Sequence, residues 1–190
     1  MKKPGLELIT CIALLALTAC AAPVSNAAAP ILLFNGSGTS PNDVKAVQAV
    51  QAGLNYLGIC AGGLLAGNAG SNSPNLTSGV RVGFYAAVNR GIHKAVVAVS
   101  VVGAPAREHY WENGPHFSGW GAVVGKYPDG TPAIVEGTSG KGWVILCGVH
   151  PEAPENWRRG MTFATPASVD NAYAGTLIEA ALHGTCLPHY

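Results

Sequence analysis

The stretch Leu57-Gly58-Ile59-Cys60-Ala61-Gly62-Gly63 decides which fold and site the sequence predicts. Apolar Leu57 and Ile59 run directly into Cys60, and glycines follow at once, a pattern typical of a strand that turns sharply into a helix. A nucleophile at such an elbow occupies strained backbone and needs small neighbours, so that the following helix packs closely. The helix start offers N–H groups and a positive dipole end, which both favour a thiolate. Cys60 is therefore a candidate nucleophile; the alternative is a small buried residue in a glycine-rich turn.

The composition bounds the class of protein. A chain of 190 residues fits one domain with a substantial core. Its hydrophobic content of 48% and charged content of 11% exclude a disordered chain and an electrostatic nucleic-acid binder. The 11 Lys and Arg side chains nearly balance the 10 acidic ones, and they form no basic stripe. We therefore expect no nucleic-acid partner.

The first residues have the features of a secretory signal. A short positive start precedes the apolar run Leu8–Leu17, which is too short to span a bilayer. The run ends in Leu17-Thr18-Ala19-Cys20, which resembles the lipobox of bacterial lipoproteins. This resemblance implies that residues 1–19 are a signal peptide and that Cys20 is lipidated. The alternative is ordinary cleavage after a small residue such as Ala22.

The residues after the lipobox divide into a linker and a domain. Residues 20–30 are rich in Ala, Pro, Ser and Asn without periodicity, as expected of a flexible tether. Residues 31–190 form the predicted domain. A lipid anchor would place this domain at the bacterial cell envelope, on its periplasmic or extracellular face, with the membrane as a partner.

The five cysteines are distributed between these segments. Cys11 lies in the signal and Cys20 at the lipobox, so the domain retains Cys60, Cys147 and Cys186. An odd number in an oxidising compartment favours one free thiol and one disulfide, but whether Cys147 and Cys186 pair stays open. No His or Cys spacing indicates a metal site, and we expect no cofactor.

The remaining pattern predicts an α/β sheet that is parallel at its centre and antiparallel toward one edge. Residues 31–34 form a strand, and the loop containing Gly36 is a candidate ligand loop at the carboxyl edge of the sheet. A helix begins at Ser40, and turn signals at 89–91 and 129–130 predict hairpins. Further predicted elements are strands at 80–88, 93–102, 120–127, 132–136 and 142–149, an aromatic loop at 110–117, and an amphipathic helix at 168–182 with Ala172, Leu177, Ile178 and Ala181 inward.

His150-Pro151-Glu152 supplies what a cysteine nucleophile requires, namely a base and a group that orients the base. Pro151 biases His150 toward extended backbone, in which residues two apart share a face. The Glu152 carboxylate is therefore expected to reach one imidazole nitrogen while the other faces the thiol. An isolated tripeptide of this kind is more often a solvated surface pair, so its interpretation depends on Cys60.

The two motifs together resemble a known family. GICAGG at 58–63 and GVHPE at 148–152 look like the Cys–His–Glu triad of class I glutamine amidotransferase-like domains. More narrowly, the chain resembles the branch named for the N-terminal domain of biotin–protein ligases, with similar stretches over most of residues 31–165. These stretches are LLFNGSGTSPNDV, HYWENGPHFSGWG and GWVILCGVHPE.

The resemblance implies a flavodoxin-like three-layer sandwich in which Cys60 is the nucleophile, His150 the base and Glu152 the orienting group. It implies a thiol-dependent amidase acting on a small-molecule or peptide amide. Trp111 and Asn113 in the aromatic loop are candidate substrate-binding residues. Biotin ligation itself is not supported, because the Arg/Gly-rich adenylate-binding loop of the ligase is absent.

The chain departs from this family just before the elbow. Family members carry a further strand and a Pro-Gly-Gly turn there, which supplies an oxyanion donor, and neither is found between Thr39 and Cys60. We therefore expect one strand fewer and only the Ala61 N–H as a donor. This predicts either a triad hydrolase or a non-catalytic binding lipoprotein of the same fold. A papain-like peptidase would instead carry its orienting group well downstream of His150.

Overall fold

The computed structural model describes residues 31–34, 53–67 and 75–190. Within these ranges the chain forms nine strands and three helices, with a 3₁₀ turn at Val88–Arg90. The predicted helix from Ser40 and the loop around Gly36 lie outside the described residues. The elements are β1 (Ile31–Phe34), β2 (Asn55–Ile59), α1 (Ala61–Ala66), β3 (Arg81–Phe84), β4 (Lys94–Val101), β5 (Ala104–Glu112), β6 (Pro115–Ser118), β7 (Ala122–Lys126), β8 (Pro132–Ser139), β9 (Gly142–Cys147), α2 (Glu155–Arg158) and α3 (Ala167–His183).

Seven of the strands form one mixed sheet in the order β1-β2-β9-β8-β7-β4-β5, and β3 and β6 form a separate two-stranded ribbon. β1, β2 and β9 are parallel to one another. From β9 to β5 each neighbouring pair is antiparallel. The parallel strands therefore lie at one end of the sheet and not at its centre.

The prediction of a flavodoxin-like three-layer sandwich with one strand missing is wrong. Most neighbouring pairs in the sheet are antiparallel, and in the part of the chain that the structure describes α3 is the one helix of more than two turns. The physical reason lies in the connections. β4 and β5 are joined by Val102-Gly103, and β8 and β9 by Gly140-Lys141. Such short turns reverse the chain, whereas parallel neighbours need a long crossover.

The hairpin predictions had mixed outcomes. The hairpin at 129–130 is confirmed, since β7 pairs with β8 and Asp129 Oδ1 accepts the Thr131 N–H at 3.0 Å. The hairpin at 89–91 is wrong, because β3 pairs with β6 while β4 pairs with β5 and β7. The residues between β3 and β4 form a 3₁₀ turn that carries the chain from the ribbon to the main sheet.

The predicted aromatic loop at 110–117 is also wrong, because these residues form the end of β5 and most of β6. Strand alternation explains the pattern. Trp111 and His109 are both completely buried on one face of β5, while Tyr110 and Glu112 project to the other face. The aromatic residues are therefore part of the sheet, and only Asn113-Gly114 separates the two strands.

The core occupies both faces of the sheet. In β9, Trp143 and Ile145 belong to one hydrophobic cluster with Leu57 and Leu177, and Val144 and Leu146 belong to a second cluster on the opposite face. Because successive side chains of a strand alternate, a strand buried on both faces reads as a continuous apolar run. The predicted strand at 142–149 is confirmed as β9.

The predicted C-terminal helix is confirmed, but the prediction of its inward-facing residues is wrong at two positions. α3 ends at Gly184, whose φ of 58° is the left-handed conformation that glycine adopts easily. Leu177 and Ala181 are fully buried as predicted, but Ala172 is exposed and Ile178 is 38% exposed. The inward face instead includes a buried polar residue, Asp170.

Glu136 in β8 leads to a prediction about how the free energy of unfolding depends on pH. Its side chain is completely buried and accepts the Leu187 N–H at 2.7 Å. Burial raises its pKa to about 7, so the folded protein retains a proton that the unfolded chain releases at lower pH. Stability should therefore fall as pH rises from about 4.5 through 7, by an amount on the order of 3 kcal/mol.

Glu136→Gln should remove this contribution. Urea unfolding at about pH 5 and about pH 8 should show a smaller loss of stability with rising pH in the variant than in the wild type. The matched control is Glu179→Gln, since Glu179 is an exposed carboxylate paired with His183, and it should keep the wild-type pH dependence. An equal loss in wild type and Glu136→Gln would contradict the prediction.

Candidate active site

Cys60 lies at a sharp bend between β2 and α1. Its φ of 51° and ψ of −106° are unusual for a residue with a side chain and carry a conformational cost. The bend is held on both sides: the Cys60 N–H donates to the Cys147 carbonyl at 2.7 Å, and the Cys60 carbonyl accepts the Leu64 N–H at 3.1 Å. The predicted strand–elbow–helix is therefore present, and the elbow is attached to the end of β9.

Glycines allow this bend to be compact. A Cβ on Gly58 would lie 2.7 Å from the backbone carbon and oxygen of Gly62, and one on Gly63 would lie 2.8 Å from the Phe117 ring. The Tyr56 hydroxyl donates to the Gly62 carbonyl at 2.8 Å and fastens the start of α1 to β2. The small residues around the cysteine are thus needed to bring helix, strand and ribbon together.

His150 and Glu152 form the predicted contact, but through a turn. His150 Nδ1 lies 2.8 Å from Glu152 Oε1. The His150 carbonyl accepts the Ala153 N–H at 3.2 Å, with Pro151 at the second position of the turn, where proline is favoured. The expectation of an extended chain at 150–152 is therefore wrong, although the contact that it predicted is made.

Cys60 follows β2 and His150 follows β9, and the pairing of these two strands brings the residues together. Burial of the imidazole alone would lower its pKa, but hydrogen bonds with Cys60 and Glu152 outweigh burial and raise the pKa of His150 to about 9. Because Nδ1 faces Glu152, Nε2 is the nitrogen left for the thiol. The imidazole is therefore protonated at neutral pH, beside a half-buried thiol.

Two aromatic side chains that the sequence did not single out frame the histidine. The His150 N–H donates to the Tyr110 carbonyl at 2.8 Å. The Trp157 ring meets the His150 ring edge to face at 5.4 Å and the Tyr110 ring at 5.7 Å. Trp157 remains 40% exposed. The backbone of His150 is thus held by β5, and its imidazole ring packs against Trp157 of α2.

A charged cluster on β4 and β5 borders the thiol. Cys60 Sγ donates to the Glu112 carbonyl at 3.4 Å. The Glu112 carboxylate accepts the Tyr110 hydroxyl at 2.6 Å and lies 3.1 Å from Lys94 Nζ. The Tyr110 hydrogen bond, with help from Lys94, lowers the pKa of Glu112 despite partial burial. Glu112 is therefore a second carboxylate near the candidate nucleophile, and strand alternation at 108–112 was the signal that could have grouped it with Tyr110.

The other predicted site residues have different positions. Ala61 is the first residue of α1, so its N–H has no acceptor within the helix. Asn113 has a φ of 46°, and its Oδ1 lies 2.8 Å from His93 Nδ1. Gly36 and Cys20 lie outside the described residues. A substrate contact by Trp111 is contradicted, because its side chain is fully buried and donates to the Gly114 carbonyl.

Two further interpretations are settled by the structure. Cys147 is a free, completely buried thiol, so it forms no disulfide with Cys186. Arg158 and Arg159 follow Trp157 in the sequence, and adjacent arginines of this kind usually lie in a solvated turn and less often contact a carboxylate. Arg159 is exposed, but Arg158 is buried because it pairs with Asp170.

Residues 31–34, 53–67 and 75–190 contain neither a metal-binding cluster nor a membrane-spanning helix. No group of three or more His, Cys, Asp or Glu side chains in these ranges is arranged to hold a metal ion. No helix in these ranges is long and apolar enough to cross a bilayer.

Comparison with known proteins yields structural similarity only. No protein-family description and no curated protein sequence matches the chain. Among solved structures, the exo-β-1,4-mannosidase Op5Man5 from Opitutaceae bacterium strain TAV5 aligns with a TM-score of 0.52 and 15% identity, over 82% of this chain and 26% of that one. A β-galactosidase from Bacillus circulans sp. alkalophilus aligns with a TM-score of 0.44 and 12% identity, over 78% and 21%.

The match to the mannosidase concerns the fold. The chain spans about a quarter of the length of the mannosidase that it resembles. The similarity is to part of a glycosidase and not to a protein described as flavodoxin-like, in agreement with the mixed, mainly antiparallel sheet. At this identity the match defines an architecture and does not carry over an activity.

The packing at the elbow generates a mutational prediction. Gly58→Ala should destabilise the protein by about 1–3 kcal/mol, because the added methyl group meets the Gly62 backbone and the Tyr56 ring. The control is Gly175→Ala in α3, where no atom lies within 4 Å of the added Cβ and helix propensity should add about 0.5–1 kcal/mol. Urea unfolding measures both, and equal stability of the two variants would contradict the account.

Proposed function

We propose that the protein is a thiol-dependent amide hydrolase in which Cys60 is the nucleophile, His150 the acid and base, and Glu152 the group that orients His150. The single observation that carries this proposal is the arrangement of Cys60 at a strained elbow, beside an imidazole whose Nδ1 lies 2.8 Å from a carboxylate. Nucleophile, base and orienter within hydrogen-bond reach of one another are the signature of nucleophilic catalysis.

The protonated state of His150 determines the first step. With a pKa of about 9, the imidazolium stabilises a thiolate at Cys60, which attacks the amide carbonyl carbon and forms a carbon–sulfur bond. As the tetrahedral intermediate collapses, the carbon–nitrogen bond breaks. The imidazolium gives its proton to the departing amine, and a thioester remains on Cys60.

The second step returns the enzyme to its starting state. His150, now neutral, takes a proton from water, and the resulting hydroxide attacks the thioester carbonyl. The carbon–sulfur bond breaks, the carboxylic acid leaves, and the thiolate–imidazolium pair is restored. Glu152 holds Nδ1 in both steps, so that the same nitrogen faces the reacting atoms throughout.

The negative charge that develops on the carbonyl oxygen of the substrate needs hydrogen-bond donors to stabilise it. The Ala61 N–H at the start of α1 is positioned for this role, because the Cys60 N–H is already committed to the Cys147 carbonyl and the first amides of a helix lack intrahelical acceptors. Asn113 follows Glu112, whose carbonyl contacts Cys60, and it is the substrate-binding candidate that remains among the described residues.

The substrate class is a small-molecule or peptide amide, reached at the cell envelope if Cys20 is lipidated as its sequence context suggests. The competing function is a non-catalytic binding protein with the same three side chains. The specific observation in its favour is that Cys60 Sγ donates to the Glu112 carbonyl, a contact that a thiolate would not make. The two functions differ in the reactivity of Cys60.

Alkylation by iodoacetamide distinguishes them. At about pH 6, where an ordinary thiol is almost fully protonated, Cys60 should react at least about tenfold faster than free cysteine. His150→Gln should lose this advantage, because the variant has no imidazolium. Cys60→Ala should abolish the fast labelling and the hydrolysis, whereas Cys147→Ala should retain the fast labelling, since Cys147 is completely buried. Labelling of Cys60 at the rate of free cysteine would exclude the hydrolase and favour the binding protein.

A further inference from the structure

A buried charged network lies next to the site but contributes no atom to the reaction. Arg158 Nη1 lies 2.6 Å from Asp170 Oδ2, and its Nη2 donates to the Thr165 carbonyl at 2.6 Å. On the other side, Asp170 Oδ1 lies 3.1 Å from His109 Nδ1, within ion-pair distance but without hydrogen-bond alignment. The network thus joins α2, α3 and β5.

Stability is a weak explanation for this network. The side chains of Asp170 and His109 are completely buried, and that of Arg158 is 6% exposed. Removing such charges from water costs several kcal/mol, and well-packed apolar residues at such positions often give equal or greater stability. What an arginine held by two hydrogen bonds, one to a carboxylate and one to a backbone carbonyl, provides is a defined geometry.

The residues that hold His150 adjoin this network in sequence. Trp157, which meets the His150 ring at 5.4 Å, directly precedes Arg158. Tyr110, whose carbonyl accepts the His150 N–H at 2.8 Å, directly follows His109. Both restraints on the histidine, at its ring and at its backbone, therefore come from residues next to members of the buried network.

The network also fixes the connection between α2 and α3. The Arg158 guanidinium lies 3.7 Å from the centre of the Phe163 ring. Thr165, whose carbonyl binds Arg158, accepts the Glu108 N–H of β5 through its hydroxyl at 2.9 Å. Arg158 thereby anchors the segment that follows the triad to β5, the strand that supports His150.

We propose that Arg158 and Asp170 are positioning residues that hold His150 in line with Cys60, by fixing Trp157 against its ring and Tyr110 against its backbone. Neither residue touches the thiol or the substrate. The inference rests on the proposed function, because it assigns a role toward the Cys60–His150 pair. Without the network, α2 would be free to shift, and the imidazole would lose its orientation while the protein remained folded.

The test compares the alkylation rate of Cys60 at two pH values in the full chain. At about pH 6 fast labelling requires a correctly placed imidazolium, whereas at about pH 10 thiols ionise without help and His150 is neutral. Asp170→Asn keeps the shape but removes the charge. Arg158→Lys keeps the charge but removes the fork that binds Asp170 and Thr165 together. Each should slow labelling at about pH 6 by about tenfold and leave the rate at about pH 10 unchanged.

The matched control is Glu136→Gln, which removes a buried carboxylate that binds Leu187 outside this network. It should keep the wild-type ratio of the two rates. If the wild type shows no advantage over free cysteine at about pH 6, the proposed function fails. If the wild type shows that advantage and both network variants retain it, the positioning role is overturned while the proposed function stands.

Circular dichroism establishes that each variant is folded at the assay temperature. If neither network variant folds, hydrogen exchange of the wild type decides. The amide of His150, bonded to the Tyr110 carbonyl, and that of Met161, bonded to the Arg158 carbonyl, should then open with the same protection, as one unit. Markedly faster exchange at His150 than at Met161 would overturn the proposal.

Discussion

The hydrogen bond from the Cys60 N–H to the Cys147 carbonyl, at 2.7 Å, is the contact on which the site depends. It continues the parallel pairing of β2 with β9, in which Ile59 lies opposite Cys147. Because the carboxyl ends of parallel strands meet at the same edge of a sheet, the residue after β2 and the residues after β9 emerge side by side. Cys60 and His150 are separated widely along the chain, and this register places them together.

This strand register brings backbone segments so close together that only glycine fits at some positions. A Cβ on Gly148 would collide with the Pro115 carbonyl, and one on Gly114 with the Gly148 carbonyl. The Tyr127 hydroxyl donates to the same Pro115 carbonyl at 2.8 Å. The start of β6 therefore crosses close to the end of β9, and this crossing brings the Glu112 carbonyl to the thiol. Cys60 therefore contacts the end of β9 through its N–H, the end of β5 through its thiol and α1 through its carbonyl.

The local elements of the site were predictable, and their wider arrangement was not. The elbow at Cys60 follows from steric rules within a few residues, as does the hairpin at 129–130. The contact between His150 and Glu152 was also predicted, although the turn that makes it was not. Which strands pair is decided by contacts far apart in sequence, so the partner of β3 could not be read from the turn signal at 89–91.

The failures at single residues have one cause. Trp111 was assigned to a substrate pocket because aromatic residues are common in pockets, whereas its strand places it in the core. The charge of Arg158 alone favours a solvated position, since its partner Asp170 lies on a helix whose apolar residues gave no sign of a buried charge. In both cases burial depends on the pairing of whole elements, which one sequence does not reveal. The flavodoxin-like prediction failed for the same reason, because it extended a local motif to the whole sheet.

The central claim is that His150 is a cation paired with Cys60 and Glu152 at neutral pH. Proton NMR titration of the His150 imidazole in the wild-type protein tests this claim most directly. The account predicts that the ring keeps its proton until the pH rises through about 9, since the contacts with the thiol and the carboxylate favour the charged form. A midpoint near the ordinary value of about 6.5, or below it, would show that no such pair exists and would contradict the account.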